Sequence, residues 1–217
     1  RLGFGAMRVT GAGIWGPPAD RDEAKTVLRR AIELGTNFID TADSYGPHIS
    51  EELIREALHP YPDDLVIATK GGLERTGPGQ WPTNGRPEHL IEACEGSLRR
   101  LELEQIPLYQ FHRPDPAVPL EDSIGAIVTL KEQGKIRHIG LSNVTEGQLR
   151  RAQRLTPIVS IQNRYNADDR RSESLVDLCE QEVMVFLPWA PIQDLDRNRI
   201  VQEVARQRGL DGLTLAR

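Results

Sequence analysis

Seven short runs of β-branched, aliphatic or aromatic residues, separated by longer amphipathic stretches, constrain this chain more than any other feature. The runs are LGFGAM near 2–7, NFIDTA at 37–42, LVIATK at 65–70, IPLYQFH at 106–112, IRHIGLS at 136–142, IVSIQ at 158–162 and MVFLPW at 184–189. Most are apolar without strict alternation, the pattern of parallel strands covered on both faces. The stretches between them read as helices with visible ends. Asp20 followed by Glu23 is a capping signal, Ala24, Val27, Leu28, Ala31 and Ile32 make one apolar face, and Gly35 suits a stop. Leu90, Ile91, Cys94, Leu98 and Leu101 recur at helical spacing after Pro87, and Leu120, Ile124, Ile127 and Val128 do so before Gly134.

Strands that alternate with helices predict an α/β fold on a parallel sheet, either open and doubly wound or closed as a (β/α)8 barrel. A barrel usually takes about 250 residues. This chain has 217 and offers no eighth strand after a helix near 198–208, so the C-terminal part of a barrel is expected to be missing. The abrupt step from PWAPIQ to DLDRNRI reads as a join across a gap. Residues 1–217 are expected to form a single domain.

The net charge of −5 comes from 27 basic and 32 acidic residues that are interspersed along the chain. That pattern argues against a nucleic-acid groove or a polybasic membrane anchor and favours small-molecule chemistry. Cys94 and Cys179 lack metal-ligand spacing and read as buried thiols, consistent with a reducing cytoplasm. No stretch has the length and apolarity of a membrane span, and RLGFGAM does not read as a secretory signal.

Two kinds of site compete. GAGIWG at 11–16 fits the dinucleotide pattern GxGxxG, and Asp40 lies near where a ribose-binding carboxylate would fall. Against it, Pro17 and Pro18 delay the next helix, and Met7 to Thr10 separate the glycines from the first strand. The segment therefore reads as a surface flap over one end of the sheet. The stronger signal is at the carboxyl ends of the strands, where parallel sheets build their sites. Asp40 follows NFI, Lys70 follows LVIAT, His112 follows IPLYQF, Ser142 and Asn143 follow IRHIGL, and Gln162 follows IVSI. Each has an ordinary structural explanation. Together they aim an acid, a base and several amides at one rim.

NFIDTADSYG, LVIATK, FHRPD, GKIRHIGLSNV and IQNRYN, in that order, resemble the aldo-keto reductases, NAD(P)H-dependent (β/α)8 enzymes that reduce aldehydes and ketones. RLGFGAM, GIWGPP and PHISEELIREAL look like the bacterial branch that contains pyridoxal reductases. The resemblance implies a TIM barrel and a catalytic tetrad of Asp40, Tyr45, Lys70 and His112. Tyr45 would be the general acid, with Lys70 lowering the phenol's pKa, Asp40 orienting the ammonium and His112 placing the carbonyl oxygen. The cofactor would be NADPH or NADH. Ser142, Asn143 and Gln162 would hold its carboxamide, with Asp40 also near it, and Trp189 would be the stacking platform. Ala6 and Met7 would lie near the ribose, and Ala190 and Ile192 near the pyrophosphate.

Trp15 and Trp81 are expected as pocket walls for a small carbonyl substrate, pyridoxal among the candidates. Two alternatives belong to other classes. One is a nicotinamide-binding regulatory subunit of the same fold. The other is a metal-dependent hydrolase using Asp40 and His112, for which His48, His59, His89 and His138 fall outside strand ends.

Overall fold

The computed structural model describes residues 2–193 and 198–209. The strands and helices alternate as β1 (Phe4–Gly5), α1 (Arg21–Glu33), β2 (Phe38–Asp40), α2 (Ile49–Leu58), β3 (Val66–Gly71), α3 (Pro87–Leu101) and β4 (Ile106–Phe111). They continue as α4 (Leu120–Glu132), β5 (Ile136–Ser142), α5 (Glu146–Gln153), β6 (Ser160–Gln162), α6 (Glu173–Gln181), β7 (Val185–Phe186) and α7 (Arg199–Gln207). All neighbouring strands pair in parallel, and their order in the sheet is the order in the chain. A doubly wound sheet reverses strand order at a switch point. The described sheet has no such reversal, so it is seven strands of a (β/α)8 barrel.

The sheet is strongly curled. Gln162 at the end of β6 donates a 3.0 Å hydrogen bond to Asp40 at the end of β2, although three strands lie between them. Register explains which side chains line the inside. Lys70 stands beside Gln110, Gln110 beside Gly140 and Gly140 beside Ser160, so these four share one face. The alternate residues Tyr109, Phe111, Ile139, Leu141 and Ile161 face the helices and pack with Leu90, Cys94, Ile124, Ile127 and Leu149 in the larger core. A second core under α1 and α2 gathers Leu28, Ile39, Leu53, Ile54, Ile67 and Leu101, and Leu103 packs against both cores.

Helix ends follow the sequence signals. The Asp20 carboxylate accepts from the amides of Asp22 and Glu23 at 2.9 and 2.8 Å and starts α1. Gly35, with φ +89°, follows that helix. Along the expected apolar stripe Ala24 and Leu28 are buried, but Val27 is exposed because it lies on the margin of the face that meets α2. Strands β1, β2, β4, β6 and β7 are shorter than their runs. Gly3 and Gly5 weaken the first one, and Ala6–Val9 form a 3-10 turn, so Met7 does not end a strand. Pro157 precedes β6. After β7 the amides of Leu187 and Trp189 still bond to the carbonyls of Ile161 and Asn163, and Pro188 between them is tolerated because residue 188 in this alternation faces away from β6. No helix among the described residues is long and apolar enough to cross a membrane.

Gly71 shows how tightly β3 packs against the helices. A Cβ there would lie 2.1 Å from Tyr109 Oη and 3.2 Å from Ala93 Cβ, and Tyr109 is fully buried. Gly71→Ala is expected to destabilise the fold by about 1–3 kcal/mol through overpacking. The urea midpoint measures this, and an unchanged midpoint would mean that the strand shifts without cost.

Candidate active site

The centre of the site is an ion pair inside the curled sheet. The Lys70 side chain is only 1 % exposed, and its ammonium donates to Asp40 Oδ2 at 2.8 Å, to the Thr41 carbonyl at 2.8 Å and to Tyr45 Oη at 3.4 Å. Those are the three donors a lysine has. Asp40 Oδ1 accepts from Gln110 Nε2 at 3.3 Å and from Gln162 Nε2 at 3.0 Å. Burial opposes the lysine charge, yet Asp40 and Tyr45 more than offset it, and the pKa of Lys70 is raised.

Tyr45 lies in the turn between β2 and α2, where its amide donates to Ala42 and its carbonyl accepts from Ser50. The phenol is buried, and its ring meets those of Trp81 and His112 edge-on, with centroids 6.3 and 5.8 Å away. Its pKa is raised, chiefly by burial, against the pull of Lys70 and with a further push from Asp40. The sequence-based expectation was a net lowering by the ammonium. The difference arises chiefly because burial penalises the phenolate, and secondarily because Asp40, bound to the same ammonium, opposes its pull. Tyr45 therefore keeps its proton at neutral pH, and because its oxygen accepts from Lys70, its own O–H is directed elsewhere.

His112 follows β4, anchored by its amide to the Gly71 carbonyl. Burial, with Lys70 and Arg113 nearby, holds its pKa well below the ordinary histidine value, so the ring is neutral at pH 7. Ser44 Oγ lies 3.4 Å from His112 Nδ1. If that hydroxyl donates, the ring proton resides on Nε2. Neither Ser44 nor Gln110 was singled out in the sequence. Gln110 could have been found, since it is two residues before His112 on the same inward face of β4.

The other residues expected to hold a cofactor form a linked group. Asn143, at φ +58°, donates from Nδ2 to the His112 carbonyl and to Ser142 Oγ, both at 3.0 Å, and its Oδ1 accepts from Trp189 Nε1 at 3.1 Å. Its amide is thus committed to protein contacts. Ser142 keeps a hydroxyl proton to give, and Gln162, bonded to Asp40 through Nε2, keeps Oε1 without a partner among the described residues. Trp189 is half-buried, and the Arg164 guanidinium lies 5.5 Å from its ring. The carbonyl of Ala190, at φ +54°, accepts from Asn166, while Ile192 is exposed. Ala6 is buried with its carbonyl bonded to Ser50 Oγ, and Met7 beside it is half-buried.

GAGIWG is folded on itself. The Gly11 amide donates to the Gly16 carbonyl, the Gly16 amide donates to Gly46, and Trp15 bridges to Gly46. Gly13 and Gly16 take φ +69° and +68°, values that favour glycine. The glycines serve a turn docked against the Tyr45 loop, and α1 does not start until Arg21. Among the described residues no group of three or more His, Cys, Asp or Glu side chains is arranged to hold a metal ion. Cys94 and Cys179 are buried free thiols, pushed up by burial to about 12 and about 11.

Behind Tyr45 is a second polar cluster that the sequence reading did not anticipate. Glu51 accepts from Arg100 Nε and from Thr69 Oγ1, each at 2.6 Å, and next to this pair lies Asp43, whose buried Oδ1 has no hydrogen-bond partner among the described residues. Burial first, then repulsion from Glu51, pushes the Asp43 carboxyl up to about 8, against the pull of Arg100 and Ser44.

The aldo/keto reductase family profile matches residues 1–199. This chain belongs to the aldo/keto reductase family. Within the family it is 50 % identical over 192 residues to an uncharacterized oxidoreductase of Schizosaccharomyces pombe, covering 88 % of this chain and 62 % of that protein. It is 41 % identical over 198 residues to the pyridoxine 4-dehydrogenase of Escherichia coli, covering 88 % of this chain and 69 % of that protein. The chain thus spans about two thirds of the length of these aldo/keto reductase relatives or slightly less. Among solved structures, the glycerol dehydrogenase of Gluconobacter oxydans superposes with a TM-score of 0.83 at 28 % identity, over 99 % of this chain and 76 % of that one. An aldo-keto reductase of Klebsiella pneumoniae in complex with NADPH superposes at 0.76 and 25 % identity, over 98 % and 74 % of the two chains.

Asp43 yields a pH test. Its folded-state pKa of about 8 lies above the unfolded value of 3.8, so the folded state holds a proton that the unfolded state has released. The associated stability is fully present below about pH 4 and is lost as pH rises through about 8. Asp43→Asn removes that slope. Urea midpoints of the two proteins from pH 5 to 8.5 should diverge in favour of the variant as pH rises, and parallel curves would place the Asp43 titration elsewhere.

Proposed function

We propose that this site reduces an aldehyde or ketone to an alcohol, with NADPH or NADH as reductant and Tyr45 as proton donor. The contact that carries the reading is the Lys70 hydrogen bond to Tyr45 Oη, which leaves the phenolic O–H turned toward an incoming oxygen. A bound nicotinamide would supply the hydride that reaches the carbonyl carbon. The chain's own part is the oxygen side. Tyr45 gives its proton to the carbonyl oxygen as negative charge develops there, and Lys70 stabilises the phenolate left behind. The raised pKa of Tyr45 is no obstacle, because a nascent alkoxide is far more basic than a phenolate. Asp40 keeps the ammonium in place, and solvent restores the phenolic proton. Neutral His112, with Ser44 at Nδ1, would donate from Nε2 to the same oxygen and fix its position.

The residues present fit a carboxamide-bearing ring. Gln162 Oε1 would accept from the carboxamide and the Ser142 hydroxyl would donate to it, while Asn143 orients both Ser142 and Trp189. Trp189 would form the stacking surface, with Ala6 and Met7 near the ribose and Ala190 and Ile192 near the pyrophosphate. Trp15 and Trp81 would bound the substrate side, which favours flat or apolar carbonyl compounds. Pyridoxal is such a compound, and the likeness to a pyridoxine 4-dehydrogenase supports testing it first.

NADPH and NADH consumption, followed by absorbance with a panel of aldehydes that includes pyridoxal, tests the reading directly. Tyr45→Phe should lower turnover at least ~100-fold while leaving cofactor affinity close to wild type. Unchanged turnover would misassign the acid, and cofactor binding without oxidation by any aldehyde would favour a regulatory, cofactor-sensing role. Trp189→Ala should weaken cofactor binding about tenfold by removing the stacking face, as measured by fluorescence titration.

A further inference from the structure

Arg75, in the loop between β3 and α3, has every donor occupied. Nε donates to the Gln80 carbonyl at 3.0 Å, Nη1 to Ile14 at 2.7 Å and Ser44 at 2.9 Å, and Nη2 to Gly13 at 3.2 Å and Gly77 at 3.4 Å. A guanidinium has five N–H groups in a planar fork, and five backbone carbonyls meet them. The carbonyls come from three loops. Gly13 and Ile14 precede Trp15, Ser44 precedes Tyr45, and Gly77 and Gln80 precede Trp81. The guanidinium carbon also lies 3.6 Å from the centroid of the Trp81 ring and 5.5 Å from that of Trp15. Trp81 in turn meets the Tyr45 ring edge-on.

We propose that Arg75 is the positioning residue that sets substrate preference, by clasping these three loops into one rigid aromatic wall beside Tyr45 that selects planar aromatic carbonyl compounds. This rests on the reductase reading and specifies its substrate class. With its fork saturated, Arg75 has no in-plane donor left for the substrate, so its influence passes through the indoles it holds. A wall fixed before binding loses little freedom when a flat ring stacks on it, whereas a short aliphatic chain gains little from the same surface. Lysine cannot stand in, because three donors on a flexible stem reproduce neither the plane nor the five contacts.

The test is steady-state kinetics on the full-length protein with saturating NADPH and, separately, saturating NADH, comparing benzaldehyde with butanal. Wild-type protein should show a benzaldehyde-to-butanal ratio of kcat/KM of about 10 or more, and R75M should lower that ratio about tenfold, mainly through the KM for benzaldehyde. R75K should resemble R75M. Equal losses for both aldehydes, or an unchanged ratio, would overturn the proposal, since a merely structural role lowers both together. If R75M does not fold, Trp81→Ala must show the same selective loss, because the Arg75 carbonyl contacts do not involve Trp81 itself; an unchanged ratio there also overturns it. Absence of turnover with every aldehyde in wild-type protein would remove the reductase reading and this inference with it, whereas turnover without discrimination removes the inference alone.

Discussion

The buried pair of Lys70 and Asp40 is the constraint around which the rest of the inner face is arranged. An ammonium that is almost fully removed from water survives only if each of its protons finds an acceptor, and each does. The carboxylate is equally well supplied, by amides from β4 and β6. Four strands therefore contribute to one polar knot, which is sterically consistent only with a curled sheet. Removing one partner from such a pair typically costs about 3–5 kcal/mol, because the other charge is left buried. Fold and chemistry are tied together at this point.

The pair also determines what Tyr45 can do. Its phenol accepts from a cation whose charge is largely answered by Asp40, so burial dominates and the proton stays on oxygen. The geometry supplies direction more than acidity. On the far side of the turn, Asp43 adds a smaller push in the same sense once it is ionised.

Much of this was legible in the chain. The alternation of apolar runs and amphipathic stretches placed all seven strands, and the ends of α1, α3 and α4 followed from Asp20, Pro87, Gly35 and Gly134. Asp40, Tyr45, Lys70 and His112 were marked by position and by the ordered resemblance, and the structure brings them together. The strand length near 2–7 was not legible, because the glycines that weaken it act through the backbone, which a run of apolar letters does not display. Ser44, Asp43 and Arg75 were missed for a different reason. A loop serine, aspartate or arginine looks solvated until the fold shows which carbonyls, rings and charges surround it. The glycines of GAGIWG illustrate the converse, a sequence pattern whose local geometry serves another purpose.

The thiols described above acquire a meaning once an electrophile is considered. Cys94 and Cys179 are the chain's only cysteines, and both are buried with thiolates that are costly to form. Lys70, the amine closest to the phenol, is held as an ammonium by three acceptors and has no lone pair with which to attack. Neither the two thiols nor the amine next to Tyr45 is therefore a ready nucleophile toward a carbonyl carbon.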